Sequence, residues 1–592
     1  MKLKPSLMAL LCLVSNPGAF CGQAASDHSK TAPAVAFVGV NVVTADRGQV
    51  LEDQTVVVRG ERIAEVGPSA KVRVPAGALR IGARGKYLTP GLVDMHAHLN
   101  SPKELPLYLG NGITTVYNLN GHPAHLKWRE EIKRGAMAGP NIYTCGPTIR
   151  VLNNAGDARR IVGEQHGAGY DSIKIYNWVP KGAYEALIEE ARKRGMLVVG
   201  HIAREPGFEG TLRAGQAVAH AEEFVYTFFD NKVDDDGRLP EAVRKTREAG
   251  VPVIATLVAF DHIIRQAEDL PALLAAPETK YLAPWVRDEW GPGKNLYQRR
   301  FANPESIAYL NKSLALQKKF LRELHRAGGK VLTGTDAMNM GVVPGFSLHE
   351  ELRNLIGIGF TPLEALRAGT LYPAEFLSPA GKFGTVAAGK RADLVLVDAN
   401  PLEEVSRMSD PAGVMVRGRW LPRAQLRRML GEVPAGYAKE VAFVKNNLVR
   451  EPSRALRYLA DNDPFNNLSN KAGADIVLER GVDEFRKLHR AAARAEPRAA
   501  IAREDYVNSL GYRVLPLDRK KAIELFEFNV QSHPKSANVY DSLAEAYAAD
   551  GRHQLAIKYY EKALEVDPNY PNAKVAAEVI KKLKDEEGAR RP

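Results

Sequence analysis

Through the middle of the chain, short apolar runs alternate with stretches whose apolar residues recur at helical spacing. This is the pattern of repeated strand–helix units around a parallel sheet. The runs GLVDMHAH, TTVYNL, NIYTCG, SIKIYN, MLVVGHI, AVAHAEE, VPVIATL and KVLTGTDA follow one another between Gly91 and Ala337. Helical segments lie between them, such as GAYEALIEEARKRG, which Gly195 stops. Eight strands over about 250 residues predict an α/β fold, a (β/α)8 TIM barrel, placed at residues 90–378. The stretch from Asp261 to Gly329 separates the seventh and eighth strands, and its Pro-Gly and aromatic content reads as an insertion over the barrel mouth.

The texture differs on either side. Val35 to Arg84 and the later segments FGTVAAGKRADLVLVDANP and GVMVRGRWL carry β-branched alternation punctuated by glycine, so strands are expected in both flanks. After about Arg427 the chain turns helical, charged and alanine-rich. Within it Tyr540, Leu543, Ala544, Tyr547, Gly551, Ala556, Tyr560, Ala563 and Pro568 fall in a frame of about 34 residues that resembles the tetratricopeptide repeat. One period earlier, Ala522, Phe526 and Pro534 fit the second helix of another repeat. An all-α repeat region is therefore expected over 504–584, with a capping helix from Asn572 to Leu583, behind a helical linker over 427–503. Two repeats offer a short concave surface for a protein partner or for self-association.

Composition changes this picture little. The formal charge of +12 is spread along the chain and gathered mainly in the helical tail, so a solvated cationic face is expected and not a nucleic-acid partner. The first residues matter more. Lys2 and Lys4, the apolar run Leu7 to Val14, the break at Pro17-Gly18 and the small residues Gly22-Gln23-Ala24 resemble a signal peptide over 1–24. The run is much shorter than the roughly 20 residues needed to span a bilayer. Cys21 raises lipidation, but Phe20 stands where that signal takes a small residue. Export to the periplasm or beyond is the expectation, with no transmembrane segment. Of the three cysteines only Cys145 lies past the leader, so no intrachain disulfide is expected.

The candidate chemistry sits at strand ends. His96 and His98, two apart on the first barrel strand, project to the same face and can reach one ion. The segment TPGLVDMHAH around them resembles the first-strand motif of the metal-dependent amidohydrolases. VVVRGERIAEVG before it, GITTVYNL after it and GTVAAGKRADLVLVDANPL far downstream agree, so the resemblance covers roughly residues 35–425. The subgroup resembled is imidazolonepropionase-like and Xaa-Pro or Xaa-Arg dipeptidase-like. It implies a small β-sandwich built from both flanks, 33–89 and 379–426.

The same resemblance implies the remaining site. Lys174 on the fourth strand would be carboxylated and bridge two divalent ions, Zn2+ by the imidazole-rich ligation. His96, His98 and Asp336 would hold one ion, and His201 and His220 the other. A metal-activated hydroxide would attack a carbonyl carbon, with Asp336 as the catalytic proton carrier. The implied function is hydrolysis of an amide C–N bond in a dipeptide-like or cyclic small molecule. An ester or lactone is open to the same hydroxide, and a non-catalytic adaptor acting through the repeats is the reading from another class. A mononuclear deaminase fits less well, because such relatives typically lack the lysine. Where many relatives carry an arginine-aspartate pair, this chain has Tyr117 and Asn118. Tyr117, His122 and His349 are expected as substrate contacts, with His125 and Glu350 as neighbours of that pocket.

Overall fold

The computed structural model describes residues 33–339, 341–378, 380–496 and 499–590. The expected leader, with Cys21, lies outside them. The chain opens with strands β1 (Val35–Thr44), β2 (Gln49–Arg59), β3 (Arg62–Pro68), β4 (Leu79–Gly82) and β5 (Tyr87–Pro90). The barrel strands follow: β6 (Leu92–Ala97), β7 (Ile113–Asn118), β8 (Asn141–Thr144), β9 (Ile149–Val151), β10 (Ser172–Trp178), β11 (Leu197–Gly200), β12 (Ala217–Ala219), β13 (Val253–Ile254) and β14 (Val331–Leu332). Strands β15 (Leu394–Val397), β16 (Gly413–Val416) and β17 (Arg419–Pro422) return to the first group.

Both flanks join in one eight-stranded sheet, ordered β17-β16-β15-β5-β1-β2-β3 with β4 on β1. The seam is the antiparallel pair β5–β15, which sets Leu88 opposite Leu396. The sheet folds over itself. Phe37 of β1 meets Trp420 of β17 edge-on at 5.2 Å, although β5, β15 and β16 separate those strands in the order. Phe37, Val40, Val56, Leu88, Leu394 and Met415 fill the space between the two layers.

The barrel closes through parallel pairing of β6-β7-β8 and β9 to β14, bridged at Cys145–Ser172 and at Ala97–Ala337. β6 and β7 are buried along their whole length, because one face fills the barrel and the other meets the helices. The third strand is broken: β8 pairs with β7, and after a turn through Gly146-Pro147 the chain resumes as β9 against β10. The seventh and eighth strands, β13 and β14, are only two residues long each, shorter than their apolar runs predict. Beyond them the backbone leaves the extended region, with φ of 49° at Thr256 and 60° at Asp336. Gly334 is required by close approach: a Cβ there would lie 2.5 Å from Ile254 Cγ2 and 3.0 Å from His96 Cβ.

The tail begins with the helix Arg423–Arg450 directly after β17, and the helices Pro452–Asn462, Asn467–Arg480 and Val482–Ala495 fill the stretch expected as a helical linker. It shares a core with the barrel. Trp285 and Trp290 of the insertion, Leu107 and Val343 of the barrel, and Val433, Tyr437 and Val444 of this helix are buried in one cluster. Trp285 meets Tyr437 edge-on at 5.6 Å. Further out, Trp128 donates to the carbonyl of Asp461 at 2.7 Å and Arg513 pairs with Glu289 at 2.7 Å. The last helices form two hairpins, Glu504–Val514 with Arg519–Ser532 and Ala537–Ala549 with His553–Val566, followed by Ala573–Arg590. Small residues Ala522, Ala544, Ala556 and Ala563 sit fully buried at the crossings, which lets the helices approach closely. Among the described residues no helix is long and apolar enough to cross a membrane.

Because the tail completes a core shared with the insertion, Tyr437→Ala is expected to cost about 3–5 kcal/mol, read by urea unfolding. A loss under about 1 kcal/mol would show that the tail only rests on the barrel.

Candidate metal centre

Six predicted residues come from five strands to one cavity of about 390 Å³ at the C-terminal mouth of the barrel: His96, His98, Lys174, His201, His220 and Asp336. β6 presents Asp94, His96 and, just past its end, His98 on one face. Asp94 lies beneath the pair and accepts from the backbone N–H groups of His96 and Thr335 at 3.1 Å, and from the Thr335 hydroxyl at 2.7 Å. It ties the first strand to the eighth, where Asp336 emerges. His98 Nε2 is 2.9 Å from Asp336 Oδ1. His96 Nε2 is 3.1 Å from the same oxygen but out of hydrogen-bonding alignment, so neither of its ring nitrogens has a hydrogen-bond partner among the described residues.

The other two imidazoles are oriented from behind. His201 Nδ1 lies 2.6 Å from Glu223 Oε1, and Glu223 Oε2 accepts from the Ile202 N–H at 2.9 Å. His220 Nδ1 lies 3.0 Å from the Thr256 hydroxyl. With Nδ1 protonated in both rings, each Nε2 keeps its lone pair for the cavity. The rings of His96 and His220 are 4.5 Å apart and those of His201 and His220 4.9 Å. Three side chains here stand on left-handed backbone: His220 at φ 83°, Thr256 at 49° and Asp336 at 60°. Each such residue costs about 1–3 kcal/mol, which the packed strand ends must hold in place.

Electrostatics favours neutral, ligating forms. Burial pushes His96 and His201 well below the ordinary imidazole range, reinforced by the Lys174 charge. Burial likewise takes His220 down to about 3 against the opposing pull of Asp336. Burial alone would raise the Asp336 carboxyl, but the His98 hydrogen bond and the His220 and Lys174 charges outweigh it and hold it low. Lys174 is buried, its Nζ has no hydrogen-bond partner among the described residues, and burial lowers it to about 8. The donor atoms of His96, His220 and Asp336 all lie within 4.8 Å of one another. Unpaired, convergent nitrogen and carboxylate donors of this kind suit a divalent cation, which would satisfy the groups that the protein leaves without partners.

Three expected substrate contacts lie elsewhere. Tyr117 is buried inside the barrel at the level of Ser172, two residues before Lys174, with its hydroxyl 2.7 Å from Ser172 Oγ. His349 faces outward from the mouth and donates from Nε2 to the Asn111 carbonyl at 2.9 Å. His122 caps the helix Pro123–Lys133 and lines a separate cavity of about 710 Å³ against the tail helices. Asn118 and His125 pin the loop after β6 by bonds to Leu99, and Glu350 pairs with His262 at 3.0 Å. The mouth is lined instead by Asn100, Thr148, Arg150, Tyr176, Glu222 and Tyr297, the last supplied by the insertion. Asp94 and Glu223 were within reach of sequence reasoning, as acids on the same motifs as the histidines. Thr256 and Thr335 carry no such signal.

The profile of the amidohydrolase family matches residues 87–421, and that of the tetratricopeptide repeat matches residues 538–570. The chain is 26% identical over 413 residues to adenine deaminase 2 of Agrobacterium fabrum, covering 67% of this chain and 57% of that protein. It is 24% identical over 405 residues to imidazolonepropionase of Thermoplasma acidophilum, covering 60% and 85%. A Bifidobacterium longum protein described as a candidate prolidase superposes with a TM-score of 0.52 at 25% identity, covering 68% of this chain and 99% of that one. The chain thus spans little more than half the length of the adenine deaminase relatives it matches.

Because Glu223 fixes the His201 tautomer, Glu223→Gln is expected to weaken divalent-metal binding about 10- to 100-fold, measured by competition with a chelating dye. Unchanged affinity would show that His201 takes no part in binding.

Proposed function

This chain belongs to the amidohydrolase family, and on that premise we propose that it hydrolyses the amide C–N bond of a dipeptide-like or cyclic small molecule at a two-metal centre. What supports the reading is the convergence of six donors, among them the buried and unpartnered His96 and Lys174. His96, His98 and Asp336 would hold one ion, and His201 and His220 the second. Zinc suits their imidazole-rich chemistry. A divalent ion, when bound, supplies Lewis acidity and lowers the pKa of water from about 15.7 towards about 7.

The remaining work falls to the chain. Lys174, lowered by burial to about 8, keeps a usable share of free amine near neutral pH. Its Nζ can add to the carbon of carbon dioxide and release one proton, which gives a carbamate anion. That change would turn a buried amine into an anionic donor able to help hold the ions, and would remove the cost of the buried cation. Asp336 stays ionised and lies at the floor of the cavity. It accepts the proton of the attacking water and returns it to the leaving nitrogen. Tyr297 from the insertion, fixed by a 2.9 Å hydrogen bond to Asn339, narrows the mouth and limits solvent access. We place the protein in the periplasm or outside the cell on the strength of residues 1–24, and give the repeats a protein or self-association partner.

The experiment is turnover of dipeptides, cyclic amides, lactones and adenine by purified protein, with and without chelator. Expected are chelator-sensitive amide hydrolysis, restoration by zinc, about two ions per chain, and a loss of roughly 100-fold or more in kcat for Lys174→Ala. Turnover of lactones or adenine alone, or full activity with one ion, contradicts the proposal.

A further inference from the structure

The broken third strand has a functional consequence at the mouth. By resuming as β9 it carries Thr148 and Arg150 over the cavity, in register with β10. The Arg150 guanidinium stacks on the Tyr176 ring at 4.9 Å from its centroid. The same ring packs at 4.2 Å against that of His201, so the cation stands one aromatic ring away from the metal-type ligands. No carboxylate lies within ion-pairing distance of Arg150 among the described residues. A guanidinium placed over an aromatic ring, without a carboxylate partner among the described residues, can receive a planar anion in bidentate fashion. Immediately beside it the rim turns apolar. Val151 is 66% exposed and Trp178, its register partner, 57% exposed. Arg204 packs over the Trp178 ring at 3.9 Å.

We propose that Arg150 is a specificity-determining residue that anchors a carboxylate of the substrate, while an apolar side chain of the same substrate lies on Trp178 and Val151. The substrate class is then an N-acyl amino acid or dipeptide with a free α-carboxylate and an apolar residue at that end. This rests on the amide-hydrolase reading above. It accounts for an arginine that, among the described residues, has no carboxylate partner at the entrance of a site rich in imidazole and carboxylate groups.

The test compares alanyl-leucine with its N-methylamide, by release of alanine from zinc-loaded full-length protein. The free acid is expected to be favoured by roughly 10- to 100-fold in kcat/KM, chiefly through KM, as suits a charge-assisted hydrogen-bonded pair. Arg150→Met should bring the acid-to-amide ratio close to one, and Arg150→Lys should leave an intermediate ratio because charge survives without the planar fork. Equal use of both substrates by the unmodified protein, or an unchanged ratio in Arg150→Met, overturns the anchor and leaves the amide-hydrolase reading standing. No cleavage of either substrate, with turnover of a lactone or of adenine, overturns that reading and the anchor with it.

Discussion

The structure depends on one electrostatic constraint: a lysine amine, three imidazoles and a carboxylate are withdrawn from water at one end of a barrel. Burying an unpaired polar group costs about 1–3 kcal/mol or more, and a charge costs more still. The surrounding fold is arranged to carry that cost. Asp94 and Thr335 lock the first strand to the eighth, Glu223 and Thr256 hold two imidazoles from behind, and Gly334 leaves room for His96 to reach the cavity. The left-handed backbone at His220, Thr256 and Asp336 belongs to the same arrangement, since it turns side chains inward just where the strands end. A cation in the cavity would relieve the constraint at its source.

Much of this was legible in the sequence because the barrel concentrates its chemistry at strand C-termini. An HxH pair, single histidines after the fifth and sixth apolar runs and an aspartate after the eighth all stand where the period of a strand delivers them to one mouth. The strand-rich flanks were legible in the same texture, whereas their joining in one sheet was implied by the family resemblance and is carried by the β5–β15 pair. What escaped were features set by backbone irregularity. Arg150 was invisible because Gly146-Pro147 breaks the third strand, and the apolar run gives no hint that it resumes. Tyr117 lies at the level of Ser172, a depth no pattern reports, because both faces of a barrel strand are buried and alternation says which side a residue takes but not how deep it lies. His349 sits on a helix whose packing against Asn111 no local pattern reports.

The tail changes what the barrel can be asked to do alone. Its first helix begins where the flanking sheet ends and buries Tyr437 against Trp285, the residue pair that anchors the insertion. The insertion in turn delivers Tyr297 to the mouth. Repeat region, insertion and cavity are therefore physically continuous, and a partner seated on the repeats would load the same core that positions the entrance.

The most direct measurement is an anomalous-difference map from crystals grown with zinc. The account predicts metal peaks among His96, His98, Asp336, His201 and His220, with added density on Lys174 Nζ. Peaks elsewhere, or a cavity without metal in which Lys174 is an unmodified amine, would contradict it.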